Sequence, residues 1–358
     1  MSNYFLLSTL HIQDHVLCQR ERTHRCSAAT SIVWCLIALV MASGIALGDK
    51  ASDDFNLGVG FYRSQRWEQA SETFKLFLKE FPEHPRSNLA RLYYALSLSS
   101  LEKYAPAREE FTAFIAAEPE GKNASDARYR LGECSYYLRD YPAAIEQLSG
   151  FLERHTEHQL ADWAKLFLGD SYTATEQFAN AEQYLAPLVQ GQTNPSIVGD
   201  ARLSLGKALH GLKRTPEAID QYRAVAALPD SALAPRGLYR IAIIQMGAQQ
   251  YKDAAATYEE LITSYPKSSL SVTAAFGAGR ALLELGEFDK AIARFKSVPK
   301  ESPNSVQSIL MTAVSLKQLG KVEESRRFFA DAIRSAGTTP LAAEIVFEQA
   351  QMERTADA

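Results

Sequence analysis

Cysteine is scarce in this chain, with Cys18, Cys26, Cys35 and Cys134 the only four among 358 residues, and three of them precede residue 36. A body that keeps one cysteine has no internal disulfide and must be held by packing alone. Basic excess is also missing: 38 Lys+Arg stand against 42 Asp+Glu, a formal net charge of -4. That balance leaves nothing to neutralise a phosphate backbone, so nucleic acid is excluded as a partner. Disorder is excluded as well, since 46% of the residues are hydrophobic and only 22% charged. The sequence lacks G-x-x-x-x-G-K-[ST], G-x-G-x-x-G, H-E-x-x-H and C-x-x-C, the spacings that cradle phosphates or hold metals, so no catalytic residue, cofactor or metal ligand set is expected.

One long uncharged run is present, Ser27 to Gly48, preceded by Arg20, Arg22 and Arg25. A basic segment, an apolar segment and small residues at its exit (Ala42-Ser43-Gly44, Ala46-Leu47-Gly48) form the signature of a secretory leader. Residues 1–48 are therefore expected to direct export to the periplasm or cell envelope. The competing expectation is a retained anchor formed by residues 27–48, which are numerous enough to span a bilayer. No cysteine stands at the exit of the run directly after the small residues, since Cys35 lies inside it, so a lipid anchor is not indicated.

From residue 49 the chain repeats. Ala70 recurs as Ala107, Ala144, Ala181, Ala218, Ala254 and Ala291 and then as Ser325, at spacings of 37, 37, 37, 37, 36, 37 and 34. Three residues earlier stands a large, usually aromatic residue, Trp67, Tyr104, Tyr141, Phe178, Tyr251, Phe288 or Val322, with Thr215 the exception. Twelve earlier stands Gly58, Ala95, Gly132, Gly169, Gly206, Ala242, Gly279 or Ala313. In residues 125–138 the trio Ala127, Leu131, Cys134, and in residues 141–152 the trio Ala144, Leu148, Phe151, follow the i, i+4, i+7 rule. Each unit is thus a pair of helices, and its small residues mark where the two axes approach most closely. Prolines punctuate the pattern. Pro106, Pro142, Pro216, Pro235 and Pro340 fit first helical turns, while Pro82, Pro119, Pro195, Pro229, Pro266 and Pro303 fall between units. Pro187 and Pro299 sit inside second helices, which predicts a kink near the one and an early helix end near the other.

These positions resemble the tetratricopeptide repeat: Leu57-Gly58 with Phe61, Ala70, Phe74 and Pro82, and Leu168-Gly169 with Tyr172 and Ala181, match its pattern, and the likeness covers about 51–337. The 37-residue spacing is similar to that of bacterial envelope proteins of this type, namely the Tol-Pal associated periplasmic coordinator and the outer-membrane assembly lipoprotein. The resemblance implies an all-α, right-handed solenoid of about eight hairpins over 49–337, with 338–358 forming a capping helix and a frayed tail. It implies a non-catalytic scaffold that grips an envelope protein or peptide in its groove, serving outer-membrane assembly or division; the alternative is a scaffold for envelope polysaccharide synthesis or export.

The repeat's groove-lining positions place Tyr62, Tyr129, Glu133, Tyr136, Trp163, Asp170, Lys207, His210, Tyr239 and Arg280 on the partner-binding surface. Tyr129, Tyr136 and Trp163 are expected to form one aromatic patch. His155 and His158, beside Glu153 and Glu157, are read as a solvated link between hairpins, and Cys134 as a small packing residue in a slot held elsewhere by Ser97 and Ser171.

Overall fold

The computed structural model of the protein describes residues 49–191, 195–228 and 232–356; residues 1–48, where a leader or anchor is expected, lie outside them, as does Pro229. Chain contacts divide at Asp53/Asp54, and of the N-terminal unit only Asp49–Asp53 is described.

The described residues form 17 helices and no strand. Nine are first helices: α1 (Lys50–Arg63), α3 (Ser87–Ser100), α5 (Ala124–Tyr137), α7 (Ala161–Ala174), α9 (Pro195–Gly211), α11 (Ala234–Gly247), α13 (Leu270–Glu284), α15 (Ser305–Gln318) and α17 (Pro340–Ala356). Eight are second helices: α2 (Trp67–Glu80), α4 (Tyr104–Ala117), α6 (Tyr141–Arg154), α8 (Phe178–Gln190), α10 (Thr215–Ala226), α12 (Tyr251–Ser264), α14 (Phe288–Lys296) and α16 (Val322–Ala336). The result is a solenoid-like stack of hairpins. Pro195 belongs to the first turn of α9 rather than to a link, where its missing N–H is harmless. Pro187 lies within α8, which continues to Gln190, and α14 stops at Lys296, short of Pro299.

Small residues bring the helices of each hairpin together. A Cβ built on Gly169 would stand 2.4 Å from Leu185 Cγ, and one on Gly279 would stand 2.6 Å from Phe295. Opposite them Ala70, Ala107, Ala144, Ala181, Ala218, Ala254 and Ala291 are fully buried. Where the alanine becomes Ser325, its hydroxyl donates to the Ala313 carbonyl at 2.8 Å, so the change leaves no polar group unpaired.

One feature of the turns is absent from the alanine and aromatic pattern. Two residues before every second helix the backbone has positive φ, at Gln65, Glu102, Arg139, Glu176, Lys213, Gln249, Gly286 and Gly320. The following N–H reaches back to the first helix, as in Lys103 to Leu98 O at 2.9 Å and Gln177 to Tyr172 O at 2.8 Å. This is the left-handed helix stop that satisfies terminal carbonyls and that glycine adopts without strain. Replacing Glu176 with Gly should therefore leave stability unchanged or raise it by about 1 kcal/mol, read by urea unfolding, whereas a helix-interior glycine costs about that much.

Neighbouring first helices touch one another: α5 meets α7, α7 meets α9, α11 meets α13 and α13 meets α15, while second helices show no such extensive pairing. The first helices therefore share the inner side of the stack, and any groove is built from their side chains.

Candidate functional site

The middle of that inner side is organised around Phe167 of α7. Its ring centre lies 4.7 Å from Tyr136, 5.7 Å from Tyr137, 6.0 Å from Trp163 and 6.4 Å from Tyr129. Tyr137 also stacks on Tyr104, with centres 4.7 Å apart. The expected trio of Tyr129, Tyr136 and Trp163 does gather, but around a phenylalanine that the groove positions did not include.

Two of the expected groove residues are interior instead. Tyr129 is fully buried and Glu133 is 3% exposed. Tyr129 stands three residues before Gly132, and Leu92, Leu166 and Leu203, three before Ala95, Gly169 and Gly206, are buried as well. Adjacent first helices pack together, so a side chain there is covered by its own second helix on one side, as Phe151 covers Tyr129, and by the next first helix on the other, as Phe167 does. Glu133 is held inside by a charge: Arg130 Nη1 donates to its Oε2 at 2.7 Å, and Tyr129 Oη donates to its Oε1 at 3.1 Å. Arg130 also lies over the Tyr129 ring, 5.4 Å from its centre. Sequence reasoning passed over Arg130, although a basic and an acidic residue three apart on one helix is a visible signal.

Tyr136, Trp163 and Asp170 are half-buried beside this core. Tyr136 Oη donates to Asp170 Oδ2 at 3.0 Å, joining α5 to α7. Burial holds the Asp170 carboxyl above the usual carboxylate range, although hydrogen bonds from Ser204 and Tyr136 oppose the shift. Burial raises Asp200 likewise, with Arg236 3.6 Å away opposing it. Lys207, whose charge also favours ionised Asp170, is exposed, as is His210. Tyr62 is half-buried, packed on Trp67 and Tyr93 at 5.2 and 5.1 Å. Tyr239 is half-buried against Tyr258, 6.2 Å between centres.

Arg280 belongs to a different place. It is exposed at the rim of a pocket of about 380 Å³ formed by α13, α15 and α17. The floor is apolar, made by Phe276, Leu283, Leu310, Met311 and Leu341; the rim carries Arg280, Glu284, Gln307 and Glu344. Among the described residues, Arg280, Glu284 and Glu344 make no ion pair within the chain. A concave apolar floor with a few uncommitted polar groups is the usual form of a binding site.

Groups that could react are poorly placed for it. Burial, reinforced by the Glu133 charge, pushes the Cys134 thiol up to about 12, so it is not a thiolate near neutrality. His158 Nε2 lies 3.3 Å from Asp126 Oδ1, and the His155 and His158 rings pack on Phe151. Among the described residues no cluster of three or more His, Cys, Asp or Glu is arranged to hold a metal, and no helix is long and apolar enough to cross a membrane.

Residues 95–156, 166–232 and 239–306 match one sequence model described as tetratricopeptide repeat, and residues 54–84 match a second with the same description. Among solved structures, the chain is similar to the apo form of RapI (14% identity, TM-score 0.56, covering 86% of this chain and 99% of that one). It is also similar to the C-terminal part of a repeat-containing protein from Cytophaga hutchinsonii (17% identity, TM-score 0.55, covering 71% and 98%). At these identities the likeness concerns the fold. No curated protein is significantly similar to the chain.

Proposed function

Because the chain belongs to the tetratricopeptide repeat family, whose members generally mediate protein–protein interactions on a typically non-catalytic scaffold, we propose that it holds a protein or peptide partner against the inner side of its first helices, in the cell envelope. The observation that carries the binding site is the pocket between α13, α15 and α17, with its apolar floor and its uncommitted Arg280, Glu284 and Glu344. An apolar side chain of the partner fills the floor, and polar groups beside it meet the rim. The envelope assignment rests on the basic, apolar and small-residue order of 1–48. Outer-membrane assembly and the coordination of division are the processes this reading favours, by the resemblance of the repeats.

Two measurements test it. Gln307 is exposed on the rim, so Gln307→Trp should plug the pocket without disturbing the core. Loss of an anchoring contact is worth about 1 kcal/mol or more, so recovery of the partners identified by affinity purification should fall about fivefold or more while the melting temperature stays put. Unchanged recovery would remove the pocket from the proposal. For export, the intact mass of the protein from its own host should show an N-terminus between Ile45 and Lys50. A full-length mass in the membrane fraction would favour the retained anchor.

A further inference from the structure

The last helix continues the repeat it was expected only to close. Ala350 follows Ala313 by 37 residues, so α17 occupies the place of a ninth first helix, with Phe347 and Val346 corresponding to Leu310 and Ile309. Its inner face is seated: Ile345 is fully buried and Leu341 and Ala342 pack beside it against Phe329, Ala332 and Ala336. Its outer face is not. Phe347 is 63% and Val346 50% exposed, against 7% for Leu310 and 4% for Leu92 at the position of Phe347. Ala343 and Ala350 are exposed beside them, so 343, 346, 347 and 350 make an apolar stripe at helical spacing.

The earlier units show what covers such a stripe. The small residue matching Ala350 meets a large side chain of its own second helix, as Gly169 meets Leu185 and Gly279 meets Phe295. The residue matching Phe347 packs on the second helix too, as Phe276 does on Phe295, with ring centres 5.8 Å apart. Among the described residues no second helix follows α17.

We infer that this face is a self-association surface, covered by α17 of a second copy of the chain. The helix carries both halves of the hairpin contact, a small residue at Ala350 and a large one at Phe347, three positions apart. Two such helices laid antiparallel about a point midway between 348 and 349 set each Phe347 over the partner's Ala350, and Ala343 over the partner's Arg354. That register brings Arg354 next to the partner's Glu344. Among the described residues neither charge has an ion-pair partner, so both are available across the contact. Unrelated partner helices would need the same large and small order; a second copy has it by construction. The closed two-fold contact uses one patch on both subunits.

Sedimentation velocity of the full-length protein over a concentration range on the order of 1–100 µM reads this, since a single helix pair is a small interface. The expected result is a concentration-dependent dimer whose affinity falls about tenfold or more in Phe347→Glu, with melting unchanged at the dilute, monomeric end of the range, where the side chain is exposed. Leu76→Glu, which removes an exposed apolar residue from α2, should change nothing, and association through residues 1–48 would be common to all three proteins. Glu344→Arg should weaken the dimer, and adding Arg354→Glu should restore it. A monomer across the whole range, or a dimer indifferent to Phe347→Glu, would overturn the inference. A dimer sensitive to Phe347 but not restored by the charge exchange would overturn the antiparallel register.

Discussion

Glu133→Ala should destabilise the protein by about 3 kcal/mol in urea unfolding, because it leaves the Arg130 guanidinium uncompensated in the interior. Arg130 keeps 20% side-chain exposure, while the Glu133 side chain has 4%, so the charge that remains is only partly hydrated. The substitution also strips the acceptor from the Tyr129 hydroxyl. Removing both charges is different. In Arg130→Leu with Glu133→Leu no unpaired charge is left, and the double variant should be more stable than Glu133→Ala even though it deletes the whole ion pair. If Glu133→Ala melts like the parent protein, the pair is a solvated surface contact and the inward placement of Tyr129 and Glu133 is wrong.

The second large effect is expected at the closest helix contacts. Gly169→Leu places its first carbon 2.4 Å from Leu185 Cγ and must push α7 and α8 apart, at about 3 kcal/mol. Gly237→Ala is a smaller change with a harder obstacle: its new carbon would meet the Tyr222 carbonyl oxygen at 2.6 Å and the Ala226 nitrogen at 3.2 Å, backbone atoms that cannot rotate away. A loss of about 2 kcal/mol is expected. Gly150 is the control, since nothing lies within 4 Å of its Cβ position, and Gly150→Ala should gain about 0.5–1 kcal/mol from helix propensity alone. In a stack of nearest-neighbour contacts the Gly169 defect should divide unfolding into two steps rather than abolish the fold. Equal melting of Gly169→Leu and the parent would contradict the hairpin packing.

The hairpins were legible because one requirement recurs: two helices approach closely only where side chains are small, and a 37-residue alternation of Gly or Ala with Ala repeats that requirement until chance is excluded. The turn geometry was half legible. Gly286 and Gly320 stand in the left-handed slot, but the six other units fill it with long polar residues such as Gln65 and Lys213, which conceal it. The groove was read less well. Helical spacing puts Tyr129 among the expected groove residues; it does not say how near α7 comes, and Phe167 closes over the ring, which leaves Tyr129 interior. Exposure depends on the separation between units, which residues within one unit do not encode. Lys207 and Arg280 reach solvent at the same repeat position where Glu133 is buried, so position in the repeat alone does not decide exposure. Phe347 shows the same rule from the other side, since the position that is interior in α3, α7, α9 and α15 is exposed in α17, over which no further helix lies among the described residues.

The central claim, that partners are held on the face of the first helices, is tested most directly by photocrosslinking in living cells. A photoreactive phenylalanine analogue would be placed singly at Lys207, His210 and Arg280 on first helices, and at Leu76 and Glu323 on second helices, all five exposed. The account predicts that the same partner is captured from Arg280 and from at least one of Lys207 and His210, and from neither Leu76 nor Glu323. Capture confined to Leu76 and Glu323 would contradict it.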